Sequence, residues 1–93
     1  MKIFKYALDI DAGDTVIHSC YHYFKPLAIG AQDGKLVMWV QVDPDDPVRG
    51  SWNTYRVIAT GEDFKPEDDW EYIGTAQVYW FVAHVWLVKK VWK

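Results

Sequence analysis

An all-β domain of about six antiparallel strands, built as a small sandwich or partly open barrel with at most one short helical turn, is predicted by three features. Apolar residues recur with period two along most of the chain, the signature of half-buried strands. An Asp33-Gly34 pair joins two apolar runs, as in a type I′ hairpin where both turn residues need positive φ. No stretch of ten residues keeps a helical period.

The elements follow in order. In "IFKYALDI", Phe4, Tyr6, Leu8 and Ile10 share one face and Lys5, Ala7 and Asp9 the other. "DAGD" turns the chain into a second strand from Thr15 to Ile17, with room to continue to Tyr23. "PLAIGAQDGKLVMWVQVDP" is the hairpin; its second arm sets Leu36, Met38, Val40 and Val42 on one face and Val37, Trp39 and Gln41 on the other. "DPDDPVRGS" reads as a loop on its prolines, aspartates and glycine. "WNTYRVIATG" returns as a strand with Tyr55, Val57 and Ala59 opposite Trp52, Arg56 and Ile58. "EDFKPEDD" is a second acidic loop or a single helical turn. "WEYIGTA" and "VYWFVAHVWLV" then close the chain as a short and a long strand.

Ninety-three residues suit one domain with one modest core. Six Trp, six Tyr and four Phe exceed what such a core holds, so some rings are expected at the surface, as a homodimer contact or partner-binding face. Charge is uneven within a net of −3. Residues 1–42 balance four acids with four bases, and 43–71 carry nine acids against Arg49, Arg56 and Lys65. Residues 72–93 have no acid and three lysines. The acidic middle would repel phosphate, which makes nucleic acid an unfavourable direct ligand there. One cysteine cannot form an internal disulfide, and the start lacks the apolar run of a signal peptide. The longest apolar run, residues 78–88, is about half a membrane span. A soluble, cytosolic protein is the expectation.

The residues with chemical potential are few. In "HSCYHYF", a strand would place His18, Cys20 and His22 on one face. The outer two would stand ~13 Å apart, too far to share an ion without a bulge. Structural strand residues are the favoured reading over a metal or thiol site. His84 inside an apolar strand is expected as a hydrogen-bonded histidine, because no acid follows Glu71 to serve as its catalytic partner. Asp43, Asp45 and Asp46 lack the alternation and closing Glu of a calcium loop. "TGED" would repel a phosphate. Catalysis, metal and cofactor find no support in the sequence.

Four segments, "MKIFKYALDI", "AQDGKLVMWVQVDP", "YRVIATG" followed by "YIGTAQ", and "FVAHVW", together resemble an uncharacterised family of small phage and prophage proteins. Its members begin "MKIwKY", carry an "xNGxLxLWALVDP"-like hairpin, a "GTGHP" turn and "YxGT", and finish near "VWHVFE". This chain departs at Ala59-Thr60-Gly61-Glu62-Asp63, where the family's His and Pro are missing. Ala83 stands in place of a Trp, while His84 is kept. The resemblance implies a mobile element inside a bacterium and no assigned activity.

In that setting the leading expectation is a non-catalytic protein that binds and inhibits a host protein or nucleoprotein complex, including the anti-CRISPR class. Its partner-binding residues would be Asp43, Asp45, Asp46, Glu62, Asp63, Glu67, Asp68, Asp69, Trp70 and Glu71. Their carboxylates would face cations that normally grip nucleic acid, with aromatic anchors beside them. The alternatives are a homo-oligomeric assembly protein and a β-domain that stacks bases on its rings.

Overall fold

A computed structural model describes residues 1–11 and 13–91, without the side chains of 19–20, 48–51 and 91. It contains seven strands: β1 (Lys2–Leu8), β2 (Asp14–Tyr21), β3 (Phe24–Gln32), β4 (Lys35–Val42), β5 (Pro47–Ala59), β6 (Glu71–Val78) and β7 (Phe81–Val91). All pairings are antiparallel. One sheet has the order β1-β4-β3 and the other β2-β5-β7-β6. The two sheets face each other as a small sandwich and do not close into a barrel.

The core lies where the alternation of apolar residues places it. Leu8 from β1 and Leu36, Met38, Val40 and Val42 from β4 meet Tyr55 and Val57 of β5 and Ala83 and Val85 of β7. Phe4 and Tyr6 pack against this cluster from β1. Asp33 and Gly34 make the β3–β4 turn with φ of 52° and 74°, the mirror-image turn their sequence favours. At one flank β3 passes against β6 without a ladder between them: a Cβ added to Gly74 would stand 2.9 Å from Ile29 Cγ1.

Two segments differ from the sequence reading. The loop expected over 43–51 is confined to 43–46, because β5 begins at Pro47, opposite Tyr21 of β2. A proline is tolerated as the first residue of a strand, where its missing N–H breaks no ladder bond. The apolar run that begins at Val78 is not one strand. It reverses at Tyr79-Trp80, so β6 ends at Val78 and β7 starts at Phe81. Tyr79 takes φ of 56° there, a value rare for a large residue, so no Gly or Asn announces the turn. The second acidic loop forms no helix; a single turn closes it as the Trp70 amide donates to the Glu67 carbonyl at 3.1 Å. No helix is long and apolar enough to cross a membrane among the described residues.

Candidate binding surface

The outer face of the four-stranded sheet carries side chains that alternate away from the core: Arg56 and Ile58 on β5, His84 and Trp86 on β7, and Tyr72 and Thr75 on β6. The chain leaves β5 at Ala59 and turns at Gly61, whose φ of 88° a glycine adopts without strain. The Thr60 amide donates to the Val82 carbonyl and the Glu62 amide to the Ala59 carbonyl. Residues 60–69 are all solvent-exposed, yet they run back across this face. Phe64 and Trp70 are why. Their rings stack at 6.5 Å with 7° between planes, and both tilt against Trp86 at 6.0 and 6.2 Å. Tyr72 meets Trp86 edge-on at 5.2 Å. The loop thereby covers Ile58, which is 2% exposed although it points away from the core. The Trp86 Nε1 is buried with no partner among the described residues.

Arg56 fixes the other side of this cluster. Its guanidinium lies 5.1 Å over the Trp70 ring, while Nε and Nη2 donate to the two Asp14 carboxylate oxygens at 2.8 and 3.0 Å. That hydrogen bonding holds the Asp14 carboxyl below its usual range and the Arg56 guanidinium above its own.

His84 bridges three elements. Its Nε2 sits 2.8 Å from Thr60 Oγ1 and its Nδ1 2.9 Å from Thr75 Oγ1; the Thr75 hydroxyl in turn meets the Tyr72 hydroxyl. This is the hydrogen-bonded histidine the sequence suggested, with threonine hydroxyls as its partners. A cavity of about 260 Å³ opens beside it, walled by Phe64, Tyr72 and Trp86 with Glu62 at its edge. The Glu62 Oε1 accepts the Ala59 amide at 3.2 Å.

The structure divides the expected partner-binding residues into three groups. Glu62, Asp63, Glu67 and Asp68 lie on the exposed loop over the aromatic cluster, with Trp70 half-buried beneath them. Asp69 and Glu71 line a cavity with Lys89 and Lys90, so lysines offset their charge. Asp43, Asp45 and Asp46 stand at the far end of β5, whose 13 residues span ~40 Å. There the Asp43 carboxylate accepts the Asp45 amide, and Asp46 Oδ1 lies 2.9 Å from His22 Nδ1. His22 is thus tied to an acid, and His18 packs near the Trp52 ring at 6.3 Å. The Cys20 side chain, and with it the metal and thiol readings of that segment, lies outside the described residues. So do Trp92 and Lys93 of the basic tail.

Sequence reasoning missed the membership of the aromatic cluster and the exposed hairpin tip. Phe64 was the available signal: one large ring among charged residues must find something to cover. Tyr79 and Trp80, 71% and 91% exposed, gave no signal inside an apolar run.

A family model described as a domain of unknown function, DUF7352, matches residues 1–92. The chain belongs to the DUF7352 family. This places the DUF7352 chain in an uncharacterised family over essentially its whole length. No curated protein and no solved structure matches it.

Proposed function

We propose that this DUF7352 chain is a small phage-type protein that acts in the host cytosol. It binds a basic surface on a host protein or nucleoprotein complex and inhibits that complex, as an anti-CRISPR or other anti-defence protein does. One observation carries the reading. The loop from 60 to 69 holds Glu62, Asp63, Glu67 and Asp68 exposed to solvent, against Lys65 alone, on a support of four packed rings. A charged loop tied down in this way loses little freedom on binding, which favours affinity as well as steering. The loop would occupy the lysines and arginines that otherwise hold phosphates, without the chain resembling nucleic acid as a whole.

The experiment is capture of host proteins by a tagged chain in a CRISPR-bearing bacterium at moderate salt. The wild type is compared with a variant carrying Glu62→Gln, Asp63→Asn, Glu67→Gln and Asp68→Asn. A stoichiometric complex lost in this variant and kept in one neutralised at Asp43, Asp45 and Asp46 supports the reading. A complex indifferent to the loop charges refutes it.

A second reading rests on the β6–β7 turn, where Trp80 is 91% exposed and Tyr79 71% exposed, although the hydroxyl end of Tyr79 lies against Gly34. Such a turn suits a homo-oligomeric assembly protein. Sedimentation at rising concentration would then show an oligomer that Trp80→Ser abolishes.

A further inference from the structure

We propose that the cavity beside His84 is a receptor for one cationic side-chain head, a guanidinium or alkylammonium group presented by the partner protein. The proposal deepens the function above and rests on it. Three rings form the walls. Trp86 is inclined at 48° to Phe64 and at 63° to Tyr72, with centroids 6.0 and 5.2 Å away. All three rings line the cavity, and an aromatic face that borders it attracts a cation that has shed its water. Glu62 supplies the formal charge, and the Ala59 amide on its Oε1 keeps the carboxylate at the cavity edge.

Thr60 and His84 give a polar floor whose mutual hydrogen bond fixes both groups. No lysine or arginine lines this cavity among the described residues. Arg56, a nearby cation, lies over Trp70 and is held by Asp14.

Size and field select the occupant. At about 260 Å³ the cavity falls below the ~300–1,000 Å³ typical of sites for drug-sized ligands, so it suits the end of one side chain. On the same loop Glu62, Asp63, Glu67 and Asp68 stand against Lys65 alone, a net field that repels an anion and draws a cation. The site is therefore the specific anchor within a broader acidic surface: the loop attracts a basic patch and the cage takes one of its side chains.

The test uses free probes on the intact, isotope-labelled chain. Choline and N-acetylarginine methylamide are titrated at constant ionic strength, with 3,3-dimethylbutan-1-ol as the uncharged isostere of choline. NMR signals of the Trp86 indole and of the Gly61 and Tyr72 amides are followed. Saturable shifts with millimolar dissociation constants are expected for the cations. The isostere should bind several-fold more weakly, Glu62→Gln should weaken the cations roughly fivefold, and Phe64→Leu should weaken them further. Whichever cation binds more tightly distinguishes a guanidinium preference from an ammonium one.

Shifts that rise linearly and match those in sodium chloride would overturn the proposal. So would equal binding of the uncharged isostere. Unchanged amide spectra of both variants away from the loop separate a lost site from a lost fold. If the titration fails while the loop-neutralised chain still loses its captured partner, the cage is wrong and the binding function stands. If the cations bind but no partner is captured, the binding function fails and the cage does not.

Discussion

Ile29 lies directly over Gly74: a Cβ built at 74 would approach Ile29 Cγ1 to 2.9 Å and Ile29 Cβ to 3.3 Å. The contact joins β3 to β6 where no ladder does. In an ordinary strand, Gly→Ala stabilises by ~0.5–1 kcal/mol. Here overpacking against a branched side chain, at ~1–3 kcal/mol, should win. Gly74→Ala is expected to lower the urea midpoint, and adding Ile29→Ala should make the Gly74→Ala change less costly. A Gly74→Ala chain as stable as the wild type would show that the flank gives way freely.

Tyr79 bears the opposite expectation. Its φ of 56° carries a left-handed penalty of ~1–2 kcal/mol for a residue with a Cβ, and Asn pays less of it. Because Tyr79 is 71% exposed, its lost packing should not cancel the gain. Tyr79→Asn should raise the melting temperature by several degrees, on the scale of ~4–8 °C per kcal/mol for a chain of this size. A fall would mean that the contact of the Tyr79 ring with Gly34, whose Cα side it covers, outweighs the backbone strain.

The Arg56–Asp14 pair predicts a pH dependence at the acid end. Asp14 has a lowered carboxyl pKa in the folded chain, mainly through its hydrogen bonds to Arg56, against an ordinary value of 3.8. The stability it contributes is therefore present above 3.8 and lost as pH falls through the lowered native value. Both side chains are about two-fifths exposed, so solvent screening limits the pair to ~1 kcal/mol. Chemical denaturation of the wild type and Asp14→Asn should differ by that much near neutrality and converge at strongly acidic pH. A gap that persists there would assign the effect to something other than ionisation.

At the alkaline end the group is Tyr55, 1% exposed, with its phenol pushed up to about 12 by burial from an ordinary 10.0. The folded chain keeps the proton that the unfolded chain gives up. Stability is thus full below pH 10 and is lost as pH rises through 12, by ~3 kcal/mol in all. In Tyr55→Phe this share of the alkaline loss should vanish. Near neutrality that variant should be ~1 kcal/mol less stable, because Asn53 Nδ2 loses its acceptor 3.4 Å away. Equal alkaline slopes in the two chains would refute the assignment.

Much of this architecture was written in short-range pattern. Alternation placed Leu36, Met38, Val40 and Val42 in the core and Trp39 outside it, and Asp33-Gly34 marked its turn, because period and turn chemistry act over a few residues. What the pattern hid depends on distant partners. Ile58 reads as an outward residue until the loop after Gly61 covers it. Pro47 reads as loop until β2 lies alongside to pair with it. The expected acidic residues were visible one by one. Their division into an exposed loop, a lysine-balanced edge and a remote turn came only from folding β5 and β7 between them.

The pairing order makes β2 a donated strand. It comes from the first half of the chain, yet it completes the edge of a sheet whose other members, β5, β7 and β6, come from the second. The first half already owns a three-stranded sheet of its own in β1, β4 and β3. A single peptide cut within the turn at 43–46 would therefore yield two pieces with a ready-made lock and key, one offering β2 and the other an open edge along β5. Such halves are expected to rejoin by strand addition, with a melting point that rises with concentration. The molecule is in effect already divided for use as a reconstituting pair.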